Sequence, residues 1–369
     1  VSPGVVGCPR RDRGLHCQVV SKPRRRRSTA VAALLLVLAG AMPAWNEPRV
    51  EVVARGLEVP WAMAFAPDGR LFVTERPGRI RLVADGRLDP EPLATLAVAA
   101  VGEGGLMGLA LDPAFARNGR LYTCYTAYKG RSLINRVVRL TLREARAGYE
   151  RVLLDDLPGA SIHDGCRLKF GPDGKLYVTT GDAAEPRLAQ RLESLAGKIL
   201  RLNPDGTIPA DNPFAGSFVY SLGHRNPQGL GWDRAGRLFA AEHGPWGRDE
   251  VNRIVPGQNY GWPEVSGKGG ETRFAQPVLE SASDTWAPSG ITFLGDDLFV
   301  AGLRGRRLLR VTFASDGTVA RVTSLLNGTH GRLRDVVVGP EGALYVTTSN
   351  RDGRGAPGPE DDRILRMTP

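Results

Sequence analysis

A run of five side chains, His224-Arg225-Asn226-Pro227-Gln228, combines cationic and amide groups with a rigid turn residue, directly before an apolar segment. A plain turn needs only residues such as glycine, proline or aspartate. This many directional hydrogen-bonding groups at the start of a strand is typical of a ligand-binding loop carried by a rigid scaffold. The run therefore predicts a polar site whose other members depend on the surrounding elements.

Four more polar stretches stand at the same point relative to an apolar run. They are "GEGG" at 102–105, "SIHDG" at 161–165, "TWAPS" at 285–289 and "GRLRD" at 331–335. Each apolar run that follows has the alternation of a strand. If these strands are equivalent members of one repeat, the five polar loops meet at one end of the fold.

The elements that position these loops form a sixfold repeat. Two apolar runs joined by a turn such as Pro-Asp-Gly recur six times, as in "WAMAFAPDGRLFVTER" (61–76) and "CRLKFGPDGKLYVTTGD" (166–182). This is the hairpin signature, and a third strand such as "GKILRLN" follows most copies. A period of roughly 45–60 residues is typical of a propeller blade.

Six such units bury their faces by stacking radially around a channel. We therefore predict an all-β fold, a six-bladed β-propeller of four-stranded antiparallel blades, as a single domain over residues 45–369. The stretch "PRVEVVARG" at 48–56 is expected to supply an outer strand that closes the ring against the last blade.

The first 44 residues have a different character. "KPRRRRSTAVAALLLVLAGAMPA" carries a basic segment, a short apolar run and small residues suited to cleavage after Ala41 or Ala44, the pattern of an export signal. The apolar run is too short for a comfortable membrane span, although an uncleaved anchor at the lipid surface is an alternative. Residues before about 20 resemble an over-extended gene start. We expect a periplasmic or secreted protein with no stable membrane span after cleavage.

Charge and cysteines narrow the partners. The net charge is +10, but the first 44 residues hold eight Lys and Arg against one acid, which leaves the remainder near +3. No basic stripe with interleaved aromatics follows, so a nucleic-acid partner is not expected. An oxidising compartment permits Cys124 and Cys166 to pair, but two separate buried thiols are the simpler expectation. No CxxC or histidine-rich spacing suggests zinc.

Arginines dominate the converging loops. Arg225, Arg332 and Arg334 lie in them, and the last two share a face because alternate residues of a strand point the same way. A guanidinium is a planar fork suited to carboxylates, so these loops predict an anionic ligand. Arg304 belongs to the same set, although its arginine-rich neighbourhood is also compatible with a solvated surface.

Six motifs carry a family resemblance. "GEGGLMG", "IHDGCRL", "GHRNPQGL", "EHGPWGRDEVN", "NYGWP" and "GRLRDVVVGPEG" resemble, in order and over about 48–367, those of the soluble pyrroloquinoline quinone-dependent sugar dehydrogenases. The short loops are closer to the aldose sugar dehydrogenase branch than to the glucose branch. The resemblance implies that an aldose is oxidised at its anomeric carbon to a lactone by hydride transfer to the quinone. An external acceptor such as a quinone, cytochrome or dye then takes the electrons, and the resemblance is compatible with a monomer or a homodimer.

The resemblance also assigns roles. His163 is the general base, since imidazole titrates near working pH. Asp164 and Arg167, which follow it, are expected to set its orientation or its charge. Arg225 stabilises the developing oxyanion together with calcium. The implied cofactor set is Glu103, His163, Arg225, Asn226, His243, Arg304, Arg332 and Arg334, and the implied calcium ligands are the carbonyls of Gly244 and Pro245, with Glu250 and Tyr260 at a second calcium.

Two departures from the family stand out. Glu103 replaces a glutamine of the best-known members, and a carboxylate beside a tricarboxylate is repulsive unless it is protonated or paired with an arginine. The family's cofactor-contacting tyrosine has no equivalent, so Trp286 is expected to supply the aromatic surface.

Two rival functions stay open at this point. A calcium-dependent lactonase or esterase-like propeller would need a carboxylate-rich metal cup on the axis. A non-catalytic exported binding propeller would use "HRNPQG" as a structural turn only.

Overall fold

The computed structural model describes residues 48–144 and 146–368, so the predicted export signal at 1–44 lies outside the described residues. Nearly every element is an antiparallel strand. The first is β1 (Arg49–Ala54), which joins the last blade. Blade one contains β2 (Pro60–Phe65), β3 (Leu71–Glu75), β4 (Arg79–Ala84), β5 (Arg87–Leu88) and β6 (Ala94–Thr95).

The next two blades each add a short helix to their strands. Blade two contains β7 (Leu106–Leu111), a short helix α1 (Phe115–Asn118), β8 (Arg120–Lys129), β9 (Ser132–Arg143) and β10 (Arg146–Pro158). Blade three contains β11 (Gly165–Phe170), β12 (Leu176–Thr180), a 3₁₀ helix (Pro186–Gln190), β13 (Lys198–Leu202) and β14 (Val219–Leu222).

The last three blades repeat the four-stranded plan. Blade four contains β15 (Pro227–Trp232), β16 (Leu238–Glu242), β17 (Glu250–Ile254) and β18 (Leu279–Glu280). Blade five contains β19 (Pro288–Leu294), β20 (Asp297–Gly302), β21 (Arg307–Phe313) and β22 (Val319–Leu325). Blade six contains β23 (Leu333–Val338), β24 (Leu344–Thr348) and β25 (Ile364–Thr368), with β1 as its outer strand.

Local turn chemistry explains the hairpins. Between β2 and β3, Gly69 adopts a φ of 87°, a conformation open to glycine at little cost. The Asp68 carboxylate accepts the Arg70 N–H at 3.2 Å, which fixes the turn. The predicted hairpin repeat is thereby confirmed at residue level.

The ring is closed as predicted. β1 pairs antiparallel with β25, with Arg49 opposite Thr368 and Val52 opposite Leu365. The innermost strands β2, β7, β11, β15, β19 and β23 each pack against the next, and β23 packs against β2. The predicted six-bladed all-β propeller is confirmed.

Strand direction sets which loops share an end of the channel. Neighbouring strands within a blade are antiparallel, so the connection into each innermost strand and the connection from second to third strand lie at the same end. The five polar loops therefore converge, together with second-to-third connections that the repeat alone did not single out. At the opposite end the innermost strands enclose a cavity of about 430 Å³.

Cys124 of β8 and Cys166 of β11 form a disulfide, with their Cα atoms 5.6 Å apart. The expectation of two separate thiols is wrong, because the blades stack closely enough to bring the two strands together. Both cysteine side chains are buried.

No helix in the described ranges is long and apolar enough to cross a membrane.

The disulfide should stabilise the fold. It closes a loop of 42 residues, so replacing both cysteines in C124A/C166A should lower the free energy of unfolding by about 2–4 kcal/mol, measured by urea denaturation. The wild type, treated with an alkylating reagent after unfolding without reductant, should show no modification at either cysteine. Full alkylation there would show that the bond does not form.

Candidate active site

His163 lies in the loop that enters β11, and its main chain is in the left-handed region with φ of 62°. Its Nδ1 lies 2.7 Å from Oδ1 of Asp182, which follows β12 and is buried. A Cβ at Gly181 would lie 1.8 Å from the His163 carbonyl oxygen, so only glycine permits this close approach. The imidazole is thus fixed from both its ring and its main chain.

Asp182 is itself held in one orientation. Trp262 Nε1 donates to Asp182 Oδ2 at 2.8 Å, and the Ala184 N–H donates to Oδ1 at 2.9 Å. An ionised carboxylate so placed accepts the Nδ1 proton of His163, which leaves Nε2 as the proton acceptor of the ring. The arrangement is that of a general base with its orienting group.

The expected orienting residues lie elsewhere. Asp164 is buried behind the loop, where it accepts the Asn135 amide at 2.9 Å, and burial raises its pKa to about 6. Arg167 pairs with Asp335 at 3.0 Å and lies 4.3 Å from the centroid of the Trp61 ring. The hydrogen bond that orients the His163 ring comes from Asp182 and from neither of these residues. The expected effect of Asp164 on the charge of His163 stays a prediction.

Arg225 and Asn226 project beside His163. The Arg225 N–H donates to Glu242 at 2.8 Å, and its guanidinium lies 5.3 Å from the centroid of the Trp262 ring. Burial lowers the Arg225 pKa, while its Nε has no hydrogen-bond partner among the described residues. Asn226 is buried and accepts the Gly165 N–H at 3.1 Å. An unsatisfied buried guanidinium nitrogen marks a place for an acceptor group.

Glu103 bridges three parts of the site. Its Oε2 accepts the main-chain N–H of His163 at 3.1 Å and the Asn226 amide at 3.3 Å, while Oε1 accepts Arg354 at 2.7 Å. Burial alone would raise the pKa of Glu103. The positive charges of Arg354 and of His243, which is protonated at such low pH, act in the opposite direction together with these hydrogen bonds. The net effect lowers the pKa of Glu103 to about 2. The carboxylate is therefore ionised and paired with Arg354. Of the two ways to avoid repelling an anionic ligand, protonation or pairing with an arginine, the structure uses the second.

His243 stands on the other side of Asn226. Its main-chain N–H donates to the Asn226 carbonyl at 3.3 Å. Burial lowers the pKa of its imidazole to about 4, so the ring is neutral at pH 7. Its Nε2 is buried and unpartnered within the described ranges. It is a second polar atom that a ligand could satisfy.

Arg332 and Arg334 are both brought into the site. Asp352 accepts Arg332 at 2.8 Å and Arg334 at 3.4 Å. Arg334 also donates to the Gln228 side chain at 3.1 Å, and burial lowers its pKa to about 10, so it stays charged. Arg304 differs, because its exposed guanidinium has no ion pair in the part of the chain that the structure describes.

Several site residues were missed by the sequence analysis. Arg76 donates to the Gly102 carbonyl at 2.9 Å, and burial lowers its pKa. Arg76, Asp182 and Arg354 follow β3, β12 and β24, the second strands of their blades. The antiparallel order of the strands could have identified these residues, because it places the connections from second to third strand at the same end of the channel as the predicted loops.

His224 is structural. It is fully buried, with Nε2 2.8 Å from Ser221 Oγ and Nδ1 2.9 Å from Glu242 Oε1. Its ring stacks on Tyr260 with centroids 4.7 Å apart. Because Glu242 also accepts the Arg225 N–H, this buried group supports the main chain that carries Arg225.

The Gly244–Pro245 turn is built by Asp249. Its carboxylate accepts the N–H groups of Gly244, Trp286 and Ala287 at 2.9, 2.6 and 2.9 Å. With those oxygens engaged, the donors that the turn can offer to a metal ion are carbonyl oxygens, the hard type that calcium prefers.

Trp286 is buried in the apolar contact between blades four and five. Trp262 is the ring beside Arg225, 5.3 Å from the guanidinium, and the aromatic surface expected of Trp286 stays a prediction.

Glu250 is buried, and burial beside Glu242 raises its pKa to about 8. Both carboxylates accept the Asn252 amide, at 2.9 and 3.0 Å, whereas Asn252 Oδ1 is buried without a partner among the described residues. Crowded carboxylates with an unsatisfied oxygen fit a cation. Among the described residues, no hydrogen bond joins Tyr260 to Glu250. The Tyr260 ring stacks on His224, which binds Glu242, and the Tyr260 hydroxyl donates to the Arg253 carbonyl of β17.

Comparison with known proteins gives consistent matches. The family described as glucose/sorbosone dehydrogenase matches residues 57–365. The chain is 32% identical over 357 residues to aldose sugar dehydrogenase YliI of Escherichia coli, covering 86% of this chain and 95% of that protein.

Two solved structures are similar over nearly all the described residues. One is a putative oxidoreductase (glucose dehydrogenase) of Thermus thermophilus, with a TM-score of 0.83 and 51% identity, covering 87% of this chain and 100% of that one. The other is the pyrroloquinoline quinone-bound form of the aldose sugar dehydrogenase of Streptomyces coelicolor, with a TM-score of 0.81 and 42% identity, covering 87% and 98%.

Proposed function

The chain belongs to the glucose/sorbosone dehydrogenase family, and we propose that it is an aldose sugar dehydrogenase that oxidises the anomeric carbon of a sugar to a lactone, with pyrroloquinoline quinone as its redox cofactor. The observation that carries the proposal is the oriented His163–Asp182 pair set among buried arginines at one end of the channel. The similarity to a quinone-bound aldose sugar dehydrogenase supports it.

The residues present fit the cofactor. A planar tricarboxylate needs fixed cations. Arg332 and Arg334 provide guanidinium groups held by Asp352 and Gln228, and Arg225 provides one whose Nη1 donates to the His243 carbonyl at 3.4 Å. Arg225 Nε and His243 Nε2 are buried polar atoms without partners in the described ranges, so a polar ligand would remove two desolvation penalties. When bound, the quinone supplies the hydride acceptor.

The chain's own groups supply position, proton transfer and charge. His163 Nε2 takes the proton of the anomeric hydroxyl, and Asp182 stabilises the imidazolium that results. Arg225, beside the base, stabilises the negative charge that develops on the sugar oxygen. A site with an arginine-lined end and the buried Arg167–Asp335 pair on its axis differs from the carboxylate cup required of a lactonase.

Calcium fits two places. The Gly244 and Pro245 carbonyls would hold one ion beside the cofactor, where it would supply Lewis acidity. Glu250 would hold the second together with the main chain of Tyr260, and Asn252 Oδ1 is available to complete it. The second ion has a structural role because it would compensate charge buried behind Arg225.

Location and partners follow from the same proposal. The buried disulfide and the basic-apolar leader support export to the periplasm or the medium. The partners are an aldose and an external electron acceptor.

Arg304, exposed at the rim, is retained as a predicted residue of the cofactor site.

Reconstitution tests the function directly. Cofactor-free protein given pyrroloquinoline quinone and calcium should reduce a dye in the presence of aldoses, and chelation by EDTA or H163A should abolish the rate. Dye reduction without sugar dependence, or lactone hydrolysis in its place, would contradict the proposal.

Asp182→Asn tests the orientation of the base. The amide cannot accept all three hydrogen bonds that the carboxylate accepts from His163, Ala184 and Trp262, and it carries no charge to stabilise an imidazolium. The rate constant kcat should fall by about 10²–10⁴-fold while the protein stays folded. Asp164→Asn is the matched control and should change kcat far less; equal losses in the two variants would contradict the assignment.

Glu250→Gln tests the second calcium. At a calcium concentration of 100 times the dissociation constant, calcium should stabilise the wild type by about 2.7 kcal/mol per site, measured by urea unfolding. The variant should lose one site's contribution. Glu264→Gln, an exposed carboxylate paired with Arg273, should retain it. Unchanged calcium stabilisation in Glu250→Gln would place the second ion elsewhere.

A further inference from the structure

The site holds a carboxylate where its proposed ligand is an anion. Glu103 is ionised, and its side chain is only 16% exposed, so water screens it weakly. A negative charge at this depth opposes a tricarboxylate unless a fixed cation cancels it. The cation that contacts it is Arg354, with Nη1 2.7 Å from Oε1.

Arg354 reaches Glu103 from the opposite end of the chain, in the loop between β24 and β25. Its N–H donates to Asp352 Oδ1 at 2.9 Å, and the other oxygen of Asp352 binds Arg332 and Arg334. A Cβ at Gly355 would lie 2.5 Å from the Asn350 carbonyl, so the loop packs tightly there. The main chain of Arg354 is therefore held by the same carboxylate that holds the two buried arginines, while its side chain, 55% exposed, reaches Glu103 from the solvent side.

The two oxygens of Glu103 have different partners. Oε2 accepts the His163 N–H and the Asn226 amide, whereas among the described residues Oε1 accepts Arg354 alone. The carboxylate thus anchors the main chain of the base with one oxygen and is neutralised through the other. The sequence separation of 251 residues between Glu103 and Arg354 makes this pairing a property of the closed ring.

We propose that Arg354 is a positioning residue of the cofactor site, whose role is to cancel the charge of Glu103 so that Glu103 can anchor His163 and Asn226 without repelling the anionic cofactor. The proposal rests on the proposed function. It assigns a role to a residue outside the predicted loops and accounts for a carboxylate in an arginine-lined site.

The test compares affinities, with no turnover involved. The dissociation constant of pyrroloquinoline quinone for the calcium-loaded, cofactor-free protein is measured by tryptophan quenching in wild type, Glu103→Gln, Arg354→Gln and the double variant. Removing the cation should weaken binding about tenfold, by charge alone. Glu103→Gln should tighten binding, because the amide oxygen can keep both bonds of Oε2 while Arg354 is freed. The double variant should lie within about threefold of wild type.

A matched control separates pairing from net charge. Arg351, exposed on the same loop, contacts the Asp361 carbonyl and not Glu103, so Arg351→Gln should change affinity less than about threefold. Weaker binding in both single variants with an additive double variant would show a merely structural role and overturn the proposal. An unchanged affinity in Arg354→Gln would overturn it as well.

A cofactor-free measurement distinguishes failure of the proposed function. If the quinone does not bind wild type, the function fails, and the thermal unfolding of the four proteins still tests the pair. The losses in Tm of the single variants should be non-additive by about 1–2 °C. Strict additivity would overturn the Glu103–Arg354 pairing whether or not the quinone binds.

Discussion

The concentration of positive charge at one end of the channel is the constraint on which the rest of the site depends. Arginines cannot be buried close together unless each is held by groups that offset its desolvation. Asp352 does this for Arg332 and Arg334, and Gln228 adds a neutral acceptor to Arg334. Burial still lowers the pKa of Arg334 and Arg225, but neither loses its charge. The site is thus preorganised for an anion before the anion arrives.

His163, the proposed base, is also fixed in position, but by different elements. His163 takes its ring orientation from Asp182 of the second-to-third connection in its own blade. Its main chain is fixed by Glu103 from the preceding loop and by the close approach of Gly181. Trp262 joins the two halves of the site, because its indole N–H binds Asp182 and its ring lies under Arg225. One side chain thus contacts both the carboxylate that orients His163 and the guanidinium of Arg225.

Rigid support comes from the blade contacts behind these groups. The buried Ser221–His224–Glu242 group carries the Arg225 main chain, and Asp249 fixes the turn at Gly244 through three N–H groups. Below the site, Trp61 lies between Arg167 and Arg334. Arg225 Nε and His243 Nε2 are among the buried polar atoms without a partner in the described residues, and both belong to loops that form the site.

Local chemistry explains the features that were predicted correctly from the order of residues. Turn residues and alternating apolar runs predicted six blades, the closing strand at 48–56 and the convergence of the loops that carry His163, Arg225 and Arg332, because these depend on short-range periodicity. Pairing across the ring was decided only by the tertiary structure. Asp182 rather than Asp164 faces His163, Cys124 binds Cys166, Trp286 is buried, and Arg354 reaches Glu103. These partners are separated by 19 to 251 residues, and only the stacking and closure of the blades decide which side chains meet.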